Sequence, residues 1–217
     1  MADRTHHYRT DAIEVSYDTG RCIHAAECVR RLPAVFNTER RPWVQPANAS
    51  PDAIAEVVMR CPSGALHFTR FDGGAAEAPP ETVQITPQPD GPLYLHGDIE
   101  VRAPDGSTIA HDTRLALCRC GQSSSKPFCD NTHKKIDFHA PGTLAEKSLR
   151  PPEEGAPAAI VVTPTENGPL LVTGAFEVCA ASGEMCMAAG KASLCRCGGS
   201  GSKPFCDGTH SKIGFQG

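Results

Sequence analysis

At 217 residues and a formal net charge of −4, the chain lacks the basic excess of a dedicated nucleic-acid binder. Its composition is 40% apolar and 6% aromatic, with 20 glycines and 19 prolines, which implies small, turn-rich units with modest cores. No apolar run approaches the roughly 18 residues that span a bilayer, and the polar start from Met1 to Tyr8 has no signal-peptide core, so a soluble, cytoplasmic protein without nucleic-acid or membrane partners is expected.

Taken in chain order, Ile13 to Tyr17 alternates like a strand and His24 to Arg31 reads as a helix ended before Pro33. Ser50-Pro51-Asp52 is a helix start, with Ser as N-cap and Pro at the first helical position. Ile54, Val57, Val58 and Cys61 then fall on one face of that helix, and Ala65 to Thr69 returns as a strand. This outlines a small α/β unit, residues 1–72, set off by the stretch from Gly73-Gly74 to Pro79-Pro80.

Beyond it the chain repeats itself. Residues 84–140 align with 161–217 without a gap at an offset of 77, and close to half of the positions are identical. Each copy opens with β-like runs: Val83 to Ile85, Leu93 to Leu95 and Ile99 to Arg102, separated by Pro-Asp-Gly and His-Gly breaks. Asp105-Gly106, echoed by Ser182-Gly183, signals a hairpin. Ser-, Gly- and Pro-rich sequence follows, and Asp130 and Asp207 mark short helical turns. The repeats are placed at 82–140 and 159–217, with Pro151 to Pro157 as an extended linker. Each has a thin core, so the two are expected to pack as a pseudo-twofold pair in one β-rich body. The fold class expected is α+β.

Eleven cysteines, an odd number without a secretion signal, argue against a complete disulfide framework and for metal ligation. The first repeat holds Cys118-x-Cys120-x8-Cys129-x3-His133 and the second Cys195-x-Cys197-x8-Cys206-x3-His210. Three thiolates and an imidazole suit tetrahedral zinc or a [2Fe–2S] cluster, and the spacing alone leaves both open. The intervening residues, Cys118-Arg119-Cys120-Gly121 to Cys129-Asp130-Asn131-Thr132-His133 and Cys195 to Cys206-Asp207-Gly208-Thr209-His210, resemble the CDGSH iron–sulfur (mitoNEET-like) family over sixteen residues, twice. The resemblance implies a [2Fe–2S] cluster in each repeat, one iron on two cysteines and the other on the third cysteine and the histidine. The first copy has Asn131 where the pattern has Gly, and Asn tolerates a left-handed backbone.

In the first unit, Cys22 to Cys28 followed by Cys61-Pro62-Ser63-Gly64 resembles a divergent single-cluster, ferredoxin-like domain with Ala25 in place of the middle cysteine. That implies a [3Fe–4S] cluster on Cys22, Cys28 and Cys61, or a [4Fe–4S] cluster with His24 as the nearest fourth ligand. Cys179 and Cys186, where the first repeat has Arg102 and Ile109, read as buried structural thiols rather than an accessory redox pair. Arg119 and Arg196 read equally as solvated side chains or as groups facing an acidic partner.

A neutral imidazole in place of a thiolate makes the oxidised centre less negative, so its potential should exceed that of an all-cysteine cluster and couple to protonation. No G-x-S-x-G elbow, phosphate loop or H-E-x-x-H helix is present, so an enzyme is not expected. The leading expectation is a multi-cluster electron-transfer protein acting on a redox partner protein. A cluster donor to an apo-protein, a redox or pH sensor, and a structural zinc scaffold are the alternatives. A tandem pair within one chain allows a monomer.

Overall fold

The computed structural model describes residues 4–157 and 159–217. It divides into two compact units, one ending at Ala78 and one running from Pro79 to Gly217.

In the first unit, β1 (Thr5–Arg9), β2 (Ile13–Asp18) and β3 (Leu66–Arg70) form an antiparallel sheet with β2 in the centre. β2 presents buried Ile13 and Val15 on one face, as its alternation requires. That face packs on α2 (Pro51–Met59), whose Ile54, Val57 and Val58 are buried. α2 starts as its sequence dictates: the Ser50 hydroxyl accepts the Ala53 N–H at 3.3 Å, and Pro51 fills the first turn. The helix expected over His24 to Arg31 is shorter, only α1 (Glu27–Arg31). His24 and Ala26 adopt left-handed backbone, φ 50° and 65°, which breaks helical continuity on either side of Ala25.

The second unit is mostly β. β4 (Val83–Pro87), β5 (Leu93–Arg102) and β6 (Thr108–Leu117) come from the first repeat; β7 (Ile160–Pro164), β8 (Leu170–Cys179) and β9 (Cys186–Leu194) come from the second. All six join one sheet. The two runs expected around Gly97 form a single strand, β5, because Gly97 at φ 147° takes up a bulge between His96 and Ile99. Gly174 at φ 118° does the same between Thr173 and Phe176. Beyond each bulge the strand finds a partner from the other repeat: Ile99 pairs with Ile160, and Phe176 with Val83, both in parallel. Shifting each member of the first pair by 77 gives the second.

The core drawn from these strands mixes both copies, with Ile85, Leu95, Ile99 and Leu117 beside Val162, Val172, Phe176 and Leu194. At about 25 cal/mol per Å² of apolar surface, each fully buried aliphatic side chain contributes on the order of 2 kcal/mol, so this shared core outweighs what one three-stranded copy could bury. The segment after the first repeat is no free tether. Leu144, Ala145 and Leu149 pack on the core, and the Gly190 N–H donates to the Arg150 carbonyl at 2.9 Å. Among the described residues, no helix is long and apolar enough to cross a membrane.

Candidate metal centres

The two repeat sites are built alike. β6 ends at Leu117 and delivers Cys118, and the chain then turns at Gly121, φ 82°. It returns through a bridge between Leu117 and Phe128 that sets Cys129 beside the strand end. β9 does the same for Cys195, Gly198 and Cys206, through Leu194 and Phe205. The Ser123 and Ser200 hydroxyls donate to the Phe128 and Phe205 carbonyls at 2.6 and 2.7 Å, closing the loops. Asp130 accepts the N–H groups of Ser124 and Thr132 at 2.8 and 3.0 Å, as Asp207 does those of Gly201 and Thr209. Asn131 and Gly208 both stand in the left-handed region, φ 69° and 86°, ahead of the turns that carry His133 (Thr132–Lys134) and His210 (α3, Thr209–Lys212). Asn131 therefore serves where the second copy has Gly, and its N–H points to the Cys129 sulfur at 3.4 Å, matching Gly208 on Cys206.

The ligand atoms come in pairs. Cys118 Sγ lies 3.8 Å from Cys120 Sγ, and Cys129 Sγ lies 3.5 Å from His133 Nδ1. The second repeat repeats this, with 3.8 Å for Cys195 and Cys197 and 3.3 Å for Cys206 and His210. Two thiolates on one tetrahedral metal, at metal–sulfur distances of about 2.3 Å, stand about 3.8 Å apart, and a thiolate and an imidazole about 3.6 Å. Each pair thus fits one metal atom. The pairs do not converge on a single ion: among the described residues, the sole trio of Cys, His, Asp and Glu donors mutually within 4.8 Å is Glu177, Cys179 and Cys186.

The hydrogen bond between Cys118 and Cys120, together with burial, sets the proton chemistry. The Cys118 thiol is lowered to about 6 by its hydrogen bond with Cys120, and that same bond, with burial, pushes Cys120 up. Burial pushes Cys129 up to about 11 and His133 down. Thiols held protonated must lose protons to bind metal, so affinity falls as pH falls.

Arg119 and Arg196 are not solvated: they are 1% and 3% exposed. Arg119 donates to the carbonyls of Gly91, Gln88, Ala140 and Pro141 at 2.6–3.1 Å. Arg196 donates to those of Gly168, Thr165 and Gly217 at 2.6–3.0 Å. Burial lowers Arg119 to about 10, still cationic at neutral pH, and its charge acts on Cys195 of the other copy, as that of Arg196 acts on Cys118. The ligand loops touch. A Cβ on Gly121 would meet the Cys197 carbonyl oxygen at 2.6 Å, and one on Gly198 the Cys120 oxygen at 2.7 Å. The duplicated C-x-C-Gly was legible in sequence; its mutual packing was not.

In the first unit, Cys22, Cys28 and Cys61 line one cavity of about 520 Å³ together with His24, Ala25 and Ser63. Cys28 is pushed up to about 11 by burial and by Cys61 and Cys22 nearby. His24 and Ala26, on either side of Ala25, both hold left-handed backbone where they line the cavity. His24 is exposed. Tyr17, raised by burial and by its hydrogen bond to Cys22, closes the cavity from β2.

Cys179 and Cys186 are not two buried thiols. They form a disulfide, with Cys179 buried and Cys186 exposed. With its sulfurs bonded to each other, that trio is no metal site in this state.

A family model described as iron-binding zinc finger, CDGSH type, matches residues 90–134 and 167–211. Another, described as a divergent 4Fe-4S mono-cluster, matches residues 8–70. Over 61 residues the chain is 36% identical to an uncharacterized protein, YjdI, of Escherichia coli strain K12, covering 28% of this chain and 80% of that protein; YjdI of E. coli O157:H7 gives the same figures. No solved structure matches the chain.

Proposed function

The chain belongs to the CDGSH-type iron-binding family and carries a divergent 4Fe-4S mono-cluster domain ahead of its two repeats; on that premise we propose that this iron–sulfur protein transfers single electrons to or from a redox partner protein. The observation that carries this is the pairing of ligands. Cys118 with Cys120, and Cys129 with His133, are each spaced for one iron but do not meet at one ion, as a two-iron centre requires and a structural zinc does not. Cys195, Cys197, Cys206 and His210 form the equivalent set.

A bound [2Fe–2S] cluster supplies a one-electron carrier at each repeat. The protein's own groups set its energy. Buried Arg119 and Arg196 supply positive charge, the loop N–H groups point at Cys129 and Cys206, and a histidine replaces one thiolate, all of which favour electron acceptance. In the first unit, Cys22, Cys28 and Cys61 hold a [3Fe–4S] cluster, or a [4Fe–4S] cluster completed by His24, in a ferredoxin-like domain. The protein works without catalytic turnover of its own, in the cytoplasm.

The repeats act as a pseudo-twofold pair within one chain. The reciprocal pairings of Val83 with Phe176 and Ile160 with Ile99 support this. Residues 82–140 and 159–217 expressed separately should then fail to fold as stable monomers, and two folded, loaded monomers would sink the idea. Cluster donation to an apo-protein is the second reading, favoured by Cys129, whose raised thiol lets protons compete with iron for the site.

Iron and sulfide analysis with electron paramagnetic resonance of oxidised and reduced protein tests the scheme. Two [2Fe–2S] signals on reduction, plus a third centre lost with Cys61→Ala, are expected. A colourless zinc protein would overturn it.

A further inference from the structure

We propose that Cys179 and Cys186 form a thiol–disulfide switch in the second repeat, whose reduction loosens the seat of Arg119 beside the first repeat's ligand loop. The effect on that loop's cluster rests on the functional reading above; the switch itself does not.

The fold does not need this bond. β5 and β6 form the same hairpin in the first repeat with Arg102 opposite Thr108, and no disulfide there. The bond joins residues only 7 apart that already face each other across β8 and β9, so closing this loop removes less freedom from the unfolded chain than a long-range bond would. Exposed disulfides that fold stability does not require are the labile, regulatory kind.

Access is one-sided. Cys186 is exposed and Cys179 is 4% exposed. A thiolate of a small dithiol attacks Cys186 Sγ, the bond to Cys179 breaks, and Cys179 leaves as a thiolate that takes a proton from water. The reagent's second thiolate then attacks the mixed disulfide and frees Cys186, which also takes a proton. The protein gains two electrons and two protons, and the dithiol becomes a cyclic disulfide. A low-molecular-weight disulfide reverses the sequence. Glu177 Oε2 lies 3.9 Å from Cys179 Sγ, so its carboxylate opposes the departing thiolate and slows reduction.

The bonded hairpin reaches the first site by direct contact. At its tip the Ala181 N–H donates to the Gly142 carbonyl at 2.8 Å. The chains lie so close there that a methyl on Gly142 would meet Ala181 Cβ at 2.6 Å. The two residues before Gly142, Ala140 and Pro141, give their carbonyls to Arg119, which sits between Cys118 and Cys120. Freed from its cross-link, the tip holds 140–142 less firmly, and Arg119 with it.

The test uses the full-length purified protein in two arms. In the first, alkylation with iodoacetamide and mass spectrometry of the 179–186 peptide should find no free thiol before dithiothreitol and two after it, with reduction several-fold faster in Glu177→Gln. Two thiols in untreated protein exposed to air, or an unchanged rate in the variant, would overturn the switch or the role of Glu177 respectively. In the second arm, C179S/C186S is compared with the disulfide form without reductant, because dithiols also attack iron–sulfur centres. Amide exchange at Ala140 should rise several-fold, and absorbance loss to a chelator should gain a faster phase. Unchanged exchange at Ala140 overturns the coupling. Iron content reports separately on the cluster reading, so protein without clusters but with a reducible bond and faster Ala140 exchange refutes only that reading.

Discussion

Replacing Gly121 with Ala tests the close approach of the two ligand loops. Gly121 stands at φ 82°, where an L side chain costs roughly 1–2 kcal/mol. The new Cβ would also lie 2.6 Å from the Cys197 carbonyl oxygen and 2.9 Å from its carbon, backbone atoms of a packed loop that cannot swing aside. Overpacking of that kind adds about 1–3 kcal/mol, so the sum is about 2–5 kcal/mol. Gly208 supplies the control: its φ is 86°, but nothing lies within 4 Å of its Cβ position, so Gly208→Ala carries the backbone cost alone. For a unit of this size, at about 4 °C per kcal/mol, scanning calorimetry of the loaded proteins should show a fall of about 8–20 °C for Gly121→Ala, larger than the fall of about 4–8 °C for Gly208→Ala. Because the clash falls on Cys197, the Gly121 variant should also speed loss of the second repeat's cluster, although the substitution is in the first. Equal melting shifts for the two variants would refute the loop contact.

His210→Cys should keep its cluster, lower the midpoint potential and slow cluster loss in acid, since a thiolate replaces a neutral, protonatable ligand; an unchanged potential and acid lability would remove His210 from the ligand set. Ala25→Cys should convert a [3Fe–4S] resonance seen in oxidised protein to a [4Fe–4S] signal on reduction, with His24→Ala changing little; loss of a native [4Fe–4S] signal in His24→Ala would make the histidine the fourth ligand. The Asp207 carboxyl is held well below the usual carboxylate range by the Thr209 side chain and by the N–H groups of Thr209 and Gly201. Its contribution to stability is therefore complete above the unfolded pKa of about 3.9 and is lost as pH falls toward the lower folded value. In cluster-free protein, Asp207→Asn should flatten that part of the acid unfolding curve, and an unaltered curve would exclude the carboxylate.

What the sequence determined by itself was whatever a short stretch or a repeated one carries. The offset of 77, the two Cys₃His sets and the Ser50-Pro51 helix start are local patterns, and local chemistry is enough to produce them. β1 left no such mark: Thr5–Arg9 is a largely exposed, polar edge strand without apolar alternation, and its pairing with β2 defines it. The loop from Cys22 to Cys28 carries helix-compatible residues, yet His24 and Ala26 are held left-handed where three cysteines share one cavity. Arg119 shows the same limit most sharply. An arginine between two ligands reads as solvated until carbonyls from residues 88, 91, 140 and 141 surround it. Those carbonyls come from distant points in the chain, as do the parallel pairings of β4 with β8 and β5 with β7. Tertiary structure decided these features because their energy lies in contacts between residues far apart in sequence, and no local window contains both partners.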